Sequence, residues 1–590
     1  MPCRTGDSCD PVTVAPSRPR PLIQARFPDG RLLEGPPGTP LAEFVRAAAP
    51  DGHAIAALLN GKLRELTAPL TIDSEVSAVT TTSTDGVRIY RRGLVFLLVT
   101  AAAEVFPEVE VYVEHSAATS GAYYCAAHGR DPFTPDELKL IEARMREIVE
   151  RDEPFIKTQV PLTNAIELFK ARGEDDKVRL LSHRKKDSLV LYRLRNYADY
   201  HQGYMPPSAG YLKHFALHAF PPGFMLQFPH QSRPDELDAI APYPKLFAVF
   251  EEAGNWLDRL GLRDVGALND AIVAGRLPEI SLVAEALHSA RIARIAADIA
   301  AQRDRIRVVL IAGPSASGKT TFSKRLAVQL LANGLRPFPI GLDDYFLDRA
   351  RTPRDASGQL DYESLLALNV ARFNENLLAL MAGQTVQLPH YNFLTGQGEP
   401  GHTVTLGPET VIIIEGIHGL NPALVPDLPA ERLYRVYISA LTQLNLDRHN
   451  RVSTTDGRLI RRLVRDAATR GYSARDTLRR WDSVMRGEKQ NIFPFQENSD
   501  AIFNSALAHE LAVLRPLAEP LLLSVRPDTP EYVEANRLLS FLHWFRPAPA
   551  DHVPTNSILR EFISPPTLFD QWDWTHLPGT PNPLLEKDSL

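Results

Sequence analysis

The stretch Val308-Val309-Leu310-Ile311-Ala312-Gly313-Pro314-Ser315-Ala316-Ser317-Gly318-Lys319-Thr320-Thr321 decides the fold of the segment around it, because an unbroken apolar run ends in the spacing G-x-x-x-x-G-K-T. Each residue type there has a reason to meet phosphate. Gly313 and Gly318 let the backbone curl so that successive N–H groups point at phosphate oxygens, Lys319 neutralises the β/γ charge, and the Thr320 hydroxyl can hold Mg²⁺. Residues 321–331 have helical apolar spacing and would aim a positive helix end at the same phosphates. Strand, loop and helix come in the required order, so Gly313, Pro314, Ser315, Ala316, Ser317, Gly318, Lys319, Thr320 and Thr321 are expected to hold a nucleoside triphosphate. Such a site does not name a reaction. A kinase, a GTPase switch and an ATP-driven machine all contain one.

Downstream, strand-like runs recur at Phe338-Pro339-Ile340-Gly341-Leu342, Val411-Ile412-Ile413-Ile414-Glu415 and Leu433-Tyr434-Arg435-Val436-Tyr437-Ile438, alternating with helical stretches. That pattern predicts an α/β fold, a parallel sheet wrapped by helices, whose active groups sit at the carboxyl ends of strands. Two runs end in acids. Asp343, after the first, can accept the proton of an attacking hydroxyl, and Glu415, closing an all-apolar strand, can hold Mg²⁺ opposite Thr320. Arg458, Arg461, Arg462 and Arg465 fall on one helical face. Opposite a triphosphate such a face supplies the charge that stabilises phosphoryl transfer, so the sequence predicts a mobile arginine lid.

The 590-residue chain is 44% hydrophobic and carries a net charge of −6, which predicts several globular domains and argues against wholesale coating of nucleic acid. Arg91-Arg92 and His183-Arg184-Lys185-Lys186 are the local basic patches. No apolar run long enough to span a membrane and no apolar signal core are seen, so a soluble cytoplasmic protein is expected. The three cysteines, Cys3, Cys9 and Cys125, cannot build a disulfide framework. Residues 1–20 read as a disordered leader. Residues 21–83 read as a small β-grasp module with a Pro-Asp-Gly hairpin at 28–30 and an Asn-Gly turn at 60–61. The remaining expected units are 84–234, a helical connector at 235–303 whose long helix has its start signal at Pro278, 304–545, and a C-terminal extension at 546–590 in which no chemistry is legible and the exposed-looking pair Arg560 and Glu561 is expected to contact another domain.

Two resemblances follow. Through "FPDGRLLEGPPGTPLAEFV" and "ALLNGKLRELTAPLTIDSEV" the front module resembles the TGS domain of threonyl-tRNA synthetases. Through "HSAATSGAYYC", "LKLIEARMREIVERDEPF" and "AIELFKARGEDDKVRLL", residues 84–234 resemble the α+β domain by which those enzymes edit mischarged tRNA. That resemblance implies a His-x-x-x-His pair followed by a Cys and a His. Here Arg92, Phe96, His201 and Met205 stand at those positions, so an editing hydrolase is not expected. Through "GPSASGKTT", "LDDYF", "LPHYNF", "IIIEGIHGL" and "DGRLIRRLVRD", residues 305–510 resemble the uridine kinase and phosphoribulokinase family. The resemblance implies that Lys319 and Thr320 bind phosphate and Mg²⁺, Asp343 activates the acceptor hydroxyl, Glu415 assists the metal and Arg461 closes on the γ-phosphate. It further implies that Asp361 holds ribose hydroxyls, Tyr391 lies beside a nucleobase, and Arg458 belongs to the substrate side. Uridine kinases follow the Tyr-x-Phe with a base-reading histidine. Gly396 stands there, leaving His390 and His418 as substitutes. Phosphoribulokinase fits less well, because "HYNFLTGQGEPG" has no basic residue.

The leading expectation is therefore a kinase using ATP and Mg²⁺ on a nucleoside, uridine or cytidine foremost. The alternatives are a protein whose N-terminal modules contact RNA or tRNA under control of ATP, and a kinase of another hydroxyl acceptor. The sequence leaves the oligomeric state open.

Overall fold

The computed structural model describes residues 21–48, 53–117, 121–355, 358, 360–442 and 444–563. The expected leader, with Cys3 and Cys9, and the extension beyond residue 563 lie outside the described residues. Strands Ile23–Arg26 and Leu32–Gly35 close around the expected hairpin turn, where Gly30 takes a left-handed φ of 85° that a side chain would resist. Strand Ser74–Thr80 runs parallel to Ile23–Arg26 and antiparallel to Ala54–Leu59, and Lys62–Glu65 completes the sheet. Helix Leu41–Ala48 turns Leu41, Phe44, Val45 and Ala48 onto it. This is a β-grasp arrangement.

Helix Thr84–Val105 follows, started by the Ser83 side chain accepting from the Gly86 N–H and buried along most of its length. It packs beside two antiparallel sheets. One joins 216–220, 223–227, 122–128 and 110–117 in that order, and the other joins 197–199, 188–194 and 156–161.

The expected connector is divided into helices Pro244–Arg259, Val265–Val273 and Leu277–Ala300. Gly261 and Gly275, at φ 69° and 74°, end the first two, and Asp264 caps the second by accepting the Ala267 N–H at 2.7 Å. In the third, Ile280, Ile292, Ile295 and Ile299 are fully buried, so its apolar stripe is core.

The carboxyl-terminal sheet is wholly parallel, in the order 336–341, 410–415, 308–312, 433–439, 501–504. The central strand Val308–Ala312 is buried throughout, as strands covered on both faces must be. Helix Lys319–Ala332 crosses from it toward the edge strand, which gives the expected α/β architecture.

The loop after strand Leu433–Ser439 reaches into the preceding domain. Val113 N–H donates to the Arg448 carbonyl at 2.9 Å, and Asn445 Nδ2 donates to the Val113 and Glu114 carbonyls. Lys177 lies at the centre, fully buried, 2.7 Å from both Asp199 oxygens, 2.9 Å from Glu174 and 3.0 Å from His449 Nδ1. Burial alone would push its ammonium down, but Asp199 and Glu174 hold it above the usual lysine range. Arg448 pairs with Asp176 at 2.8 Å, and the Tyr200 hydroxyl bonds Asp447.

Removing the cation would strand two buried carboxylates. Lys177→Ala is expected to lower stability by about 3–5 kcal/mol, read as a fall in the urea midpoint of the full chain. Lys139→Ala, at an exposed pair with Asp136, is expected to leave that midpoint unchanged.

Candidate active site

The phosphate loop is built against its surroundings atom by atom. At Gly313 a Cβ would run into the Ile438 carbonyl, and Gly318, at φ 85°, lets the chain enter helix Lys319–Ala332. Ala316 is also left-handed, at φ 58°, a strain of about 1 kcal/mol that its neighbours must hold. They do so from below. Arg458 Nη1 donates to the Ser315 carbonyl at 3.2 Å, Arg461 Nη1 to the Ala316 carbonyl at 3.4 Å and Ser505 Oγ to the Ser317 carbonyl at 2.5 Å. Lys319 Nζ curls back onto the Gly313 and Pro314 carbonyls at 3.0 and 3.3 Å.

These contacts correct the expected lid. Arg458 and Arg461 are buried in helix Thr454–Thr469 and neutralised there, Arg458 by Glu488 at 2.6 and 2.8 Å and Arg461 by Glu510. Neither is free to close on a γ-phosphate, and Arg458 does not face an acceptor. Helical spacing shows that the arginines share a face. It cannot show that carboxylates from later segments meet them there. Arg462 and Arg465 are less buried and share Asp466, and Arg462 Nη1 reaches Ser315 Oγ at 2.7 Å.

At the strand ends, Thr320 Oγ1 donates to Glu415 Oε1 at 3.0 Å. Burial pushes the Glu415 carboxyl up to about 7, against the pull of Lys319. The pair offers hard oxygen donors, which suits Mg²⁺, a cation that takes few protein ligands and completes its shell with phosphate and water. Asp343 sits on the turn Leu342–Tyr345 with an exposed side chain. Its neighbour Asp344 is spoken for. Its Oδ1 accepts the Tyr391 N–H at 3.2 Å and pairs with His390 Nδ1 at 3.0 Å, and burial raises its carboxyl.

On the far side of the cleft, Asp361 Oδ1 accepts the Glu363 N–H at 3.1 Å. Tyr391 is buried with its hydroxyl unpartnered, edge-on to Phe346 and Phe393 at 5.6 and 5.1 Å. Glu363 gave no signal in the sequence. Its Oε2 is buried without a partner, and burial, then Glu488, pushes its carboxyl up to about 7 against Arg462 and Lys319. His418 is buried with both ring nitrogens unpartnered, and burial holds it down at about 4, hence neutral.

Gly396, where uridine kinases carry a histidine, is left-handed at φ 73°, and a Cβ there would meet the Arg349 guanidinium. Arg349 donates to the Phe393 carbonyl at 3.0 Å and Arg470 lies over the Phe393 ring at 5.9 Å. The acceptor loop therefore has basic neighbours after all, brought from segments that the loop sequence does not contain.

The C-terminal pair Arg560 and Glu561 does reach another part of the chain. Glu561, in the short helix Arg560–Ile563, accepts both the Thr321 N–H at 3.2 Å and the Thr321 hydroxyl at 2.8 Å, while Ile558 packs on Gly318. In the second domain, His201 and Met205 are buried, the His201 ring lies 4.9 Å from Phe96, and Arg92 donates to the Tyr204 carbonyl. Burial pushes His201 down to about 3, and no pair capable of polarising a water forms there. Among the described residues no helix is long and apolar enough to cross a membrane.

With this geometry in view, the comparisons divide the chain in two. Residues 308–512 match the model of the phosphoribulokinase / uridine kinase family. Threonine–tRNA ligase of Rickettsia akari is 32% identical over 199 residues, covering 33% of this chain and 31% of the ligase. That of an Acidovorax species is 34% identical over 200 residues with the same coverage. The chain thus spans about a third of the length of the curated relatives it matches. A solved D-glycerate 3-kinase from Cryptococcus neoformans var. grubii aligns at 16% identity over 43% of this chain and 87% of its own, with a TM-score of 0.21. Residues 308–512 are a domain of the phosphoribulokinase / uridine kinase family, set behind an N-terminal region homologous to threonine–tRNA ligases.

Proposed function

We propose that this protein transfers the γ-phosphoryl group of ATP to the 5′-hydroxyl of a nucleoside, uridine or cytidine foremost. One observation carries the reading: Thr320 and Glu415 meet at 3.0 Å beside Lys319, and Asp343 stands exposed at the same strand-end edge. Lys319, released from the loop carbonyls, pairs with the phosphates. Thr320 and Glu415 would hold Mg²⁺, which supplies charge neutralisation on the transferred group when bound. Asp343 orients the acceptor hydroxyl and takes its proton as the phosphoryl group arrives in line. Arg462, already at Ser315, is the guanidinium of the helix face best placed to meet transferred charge. Asp361, Glu363 and the Tyr391 hydroxyl offer the acceptor side hydroxyl-binding groups beside an aromatic wall, which suits ribose and a base. A second reading, a phosphorylated acceptor, is favoured by Arg349 and Arg470 at the acceptor loop. Soluble cytoplasmic residence, which suits ATP and nucleoside substrates, is part of the same proposal.

Turnover on a panel of nucleosides and sugar phosphates separates the two readings, and turnover on neither ends both. Asp343→Asn is expected to lower kcat by about 10²–10⁴-fold while the equilibrium affinity for ATP changes little. An unchanged kcat would remove Asp343 from its role.

Glu561 occupies a first-turn amide of the phosphate-loop helix, a position whose donors favour anions. Nucleotide must displace it or share that amide. Glu561→Gln is expected to tighten binding of a fluorescent ATP analogue by about 3- to 10-fold, since a charged hydrogen bond no longer competes. Weaker binding in the variant would instead make Glu561 part of the nucleotide site.

A further inference from the structure

Away from the phosphate loop, where the second domain meets the kinase domain, cations collect without ion-pair partners. Arg91, on helix Thr84–Val105, lies over the Phe228 ring at 4.2 Å. Arg451, on the interdomain loop, lies over the Tyr123 ring at 5.0 Å. The two rings meet edge to face at 4.9 Å, so the guanidiniums flank one aromatic pair. Lys489, exposed at the end of helix Ala474–Asn491, adds a third charge that Arg91 feels.

Among the described residues none of the three forms an ion pair, and the Nε atoms of Arg91 and Arg451 are buried with no acceptor. The acids that act on them, Asp456 on Arg451 and Asp482 on Lys489, do so without an ion pair among the described residues. This sets the cluster apart from its surroundings. Arg88, one turn before Arg91, pairs with Glu534 at 2.7 Å, and Arg448, three residues before Arg451, with Asp176 at 2.8 Å. Two desolvated guanidiniums and an ammonium held together without an anion raise the energy of the folded chain, and burial already pushes both guanidiniums below their usual range.

We propose that Arg91, Arg451 and Lys489 form an anion site at the domain junction that takes phosphate groups, separate from the phosphate loop. The chemistry selects phosphate over carboxylate. A tetrahedral phosphate offers oxygens to two guanidiniums on different domains at once, and guanidinium is weakly hydrated and prefers that geometry. The rings of Tyr123 and Phe228 are covered by the arginines and hold them in place. Arg451 also lies shortly before helix Thr454–Thr469, whose Arg458 and Arg461 support the phosphate loop, so an anion here would brace that helix.

The phosphate can belong to a free nucleotide or to an RNA backbone, and the test separates them. The full chain carrying Lys319→Ala, which weakens the phosphate-loop site, is titrated with tripolyphosphate, UTP and a short single-stranded RNA. Binding of the small anions assigns a free phosphate. Binding of RNA alone assigns a nucleic-acid backbone. In either case Arg91→Gln and Arg451→Gln should each weaken binding about tenfold at unchanged melting temperature. Should those variants fail to fold, Arg451→Lys and the exposed Lys489→Ala remain, each expected to weaken binding about threefold. The proposal is overturned if no probe binds, or if binding is indifferent to these substitutions. Because the readout is binding in a chain with the loop lysine removed, a failure here leaves the kinase reading untouched, and the converse holds too.

Discussion

A buried ammonium ties the two halves of this protein together. Lys177 has no solvent, and its neighbours Asp199, Glu174 and His449 come from both sides of the domain junction. Charges in that setting are costly to bring out of water, and only close, well-directed partners repay the cost. The arrangement therefore has few alternatives: if the interdomain loop withdrew, His449 would leave Lys177 and Asp199, and Arg448 would leave Asp176. The loop that supplies those groups runs directly into helix Thr454–Thr469. The order of the ligase-like domain and the position of the phosphate loop are thereby coupled through one segment.

That helix turns a recognisable motif into a shaped site. The left-handed Ala316 and the carbonyls of Ser315 and Ser317 would relax without the donors beneath them, and Arg458, Arg461 and Ser505 supply those donors. Each guanidinium is in turn neutralised, by Glu488 and Glu510. Glu488 has a further task, accepting the Ser315 N–H at 2.8 Å. Charge that the sequence suggests is aimed at phosphate is spent on preorganising the loop that meets phosphate. This is a less direct contribution to catalysis, but a substantial one where a small misplacement of reacting groups is expensive.

What the sequence disclosed follows from how local its signals are. The apolar run into G-x-x-x-x-G-K-T, the alternation of strands and helices, and the hairpin at Gly30 are all properties of neighbouring residues, and the fold they predict is the fold observed. Thr320 and Glu415 were pairable because the phosphate loop that leads to Thr320 leaves strand Val308–Ala312 beside the strand that ends in Glu415. The arginine face was legible as a face and misread as a lid, since its partners lie far along the chain. Glu363 and the approach of Arg349 to Gly396 were illegible for the same reason, whereas Glu561 stood out as exposed-looking without its partner Thr321 being legible. The glycines at 261 and 275, which divide the connector, were there to be read and were outweighed by the helical periodicity around them.

In the second domain the cleft beside strand Tyr197–Asp199 is filled from the same chain. Asp199 ends the strand Tyr197–Asp199 and Tyr200 follows it, and the groups these two face are not solvent but Lys177, Asp447, His449 and Asn450. A histidine that burial pushes down to about 3 is too weak a base to activate a water. The same burial makes the cleft an excellent socket, because polar groups removed from water bind their partners strongly and only in one geometry. The interdomain loop fills that socket with Asp447, His449 and Asn450, which adds rigidity at the base of the phosphate loop.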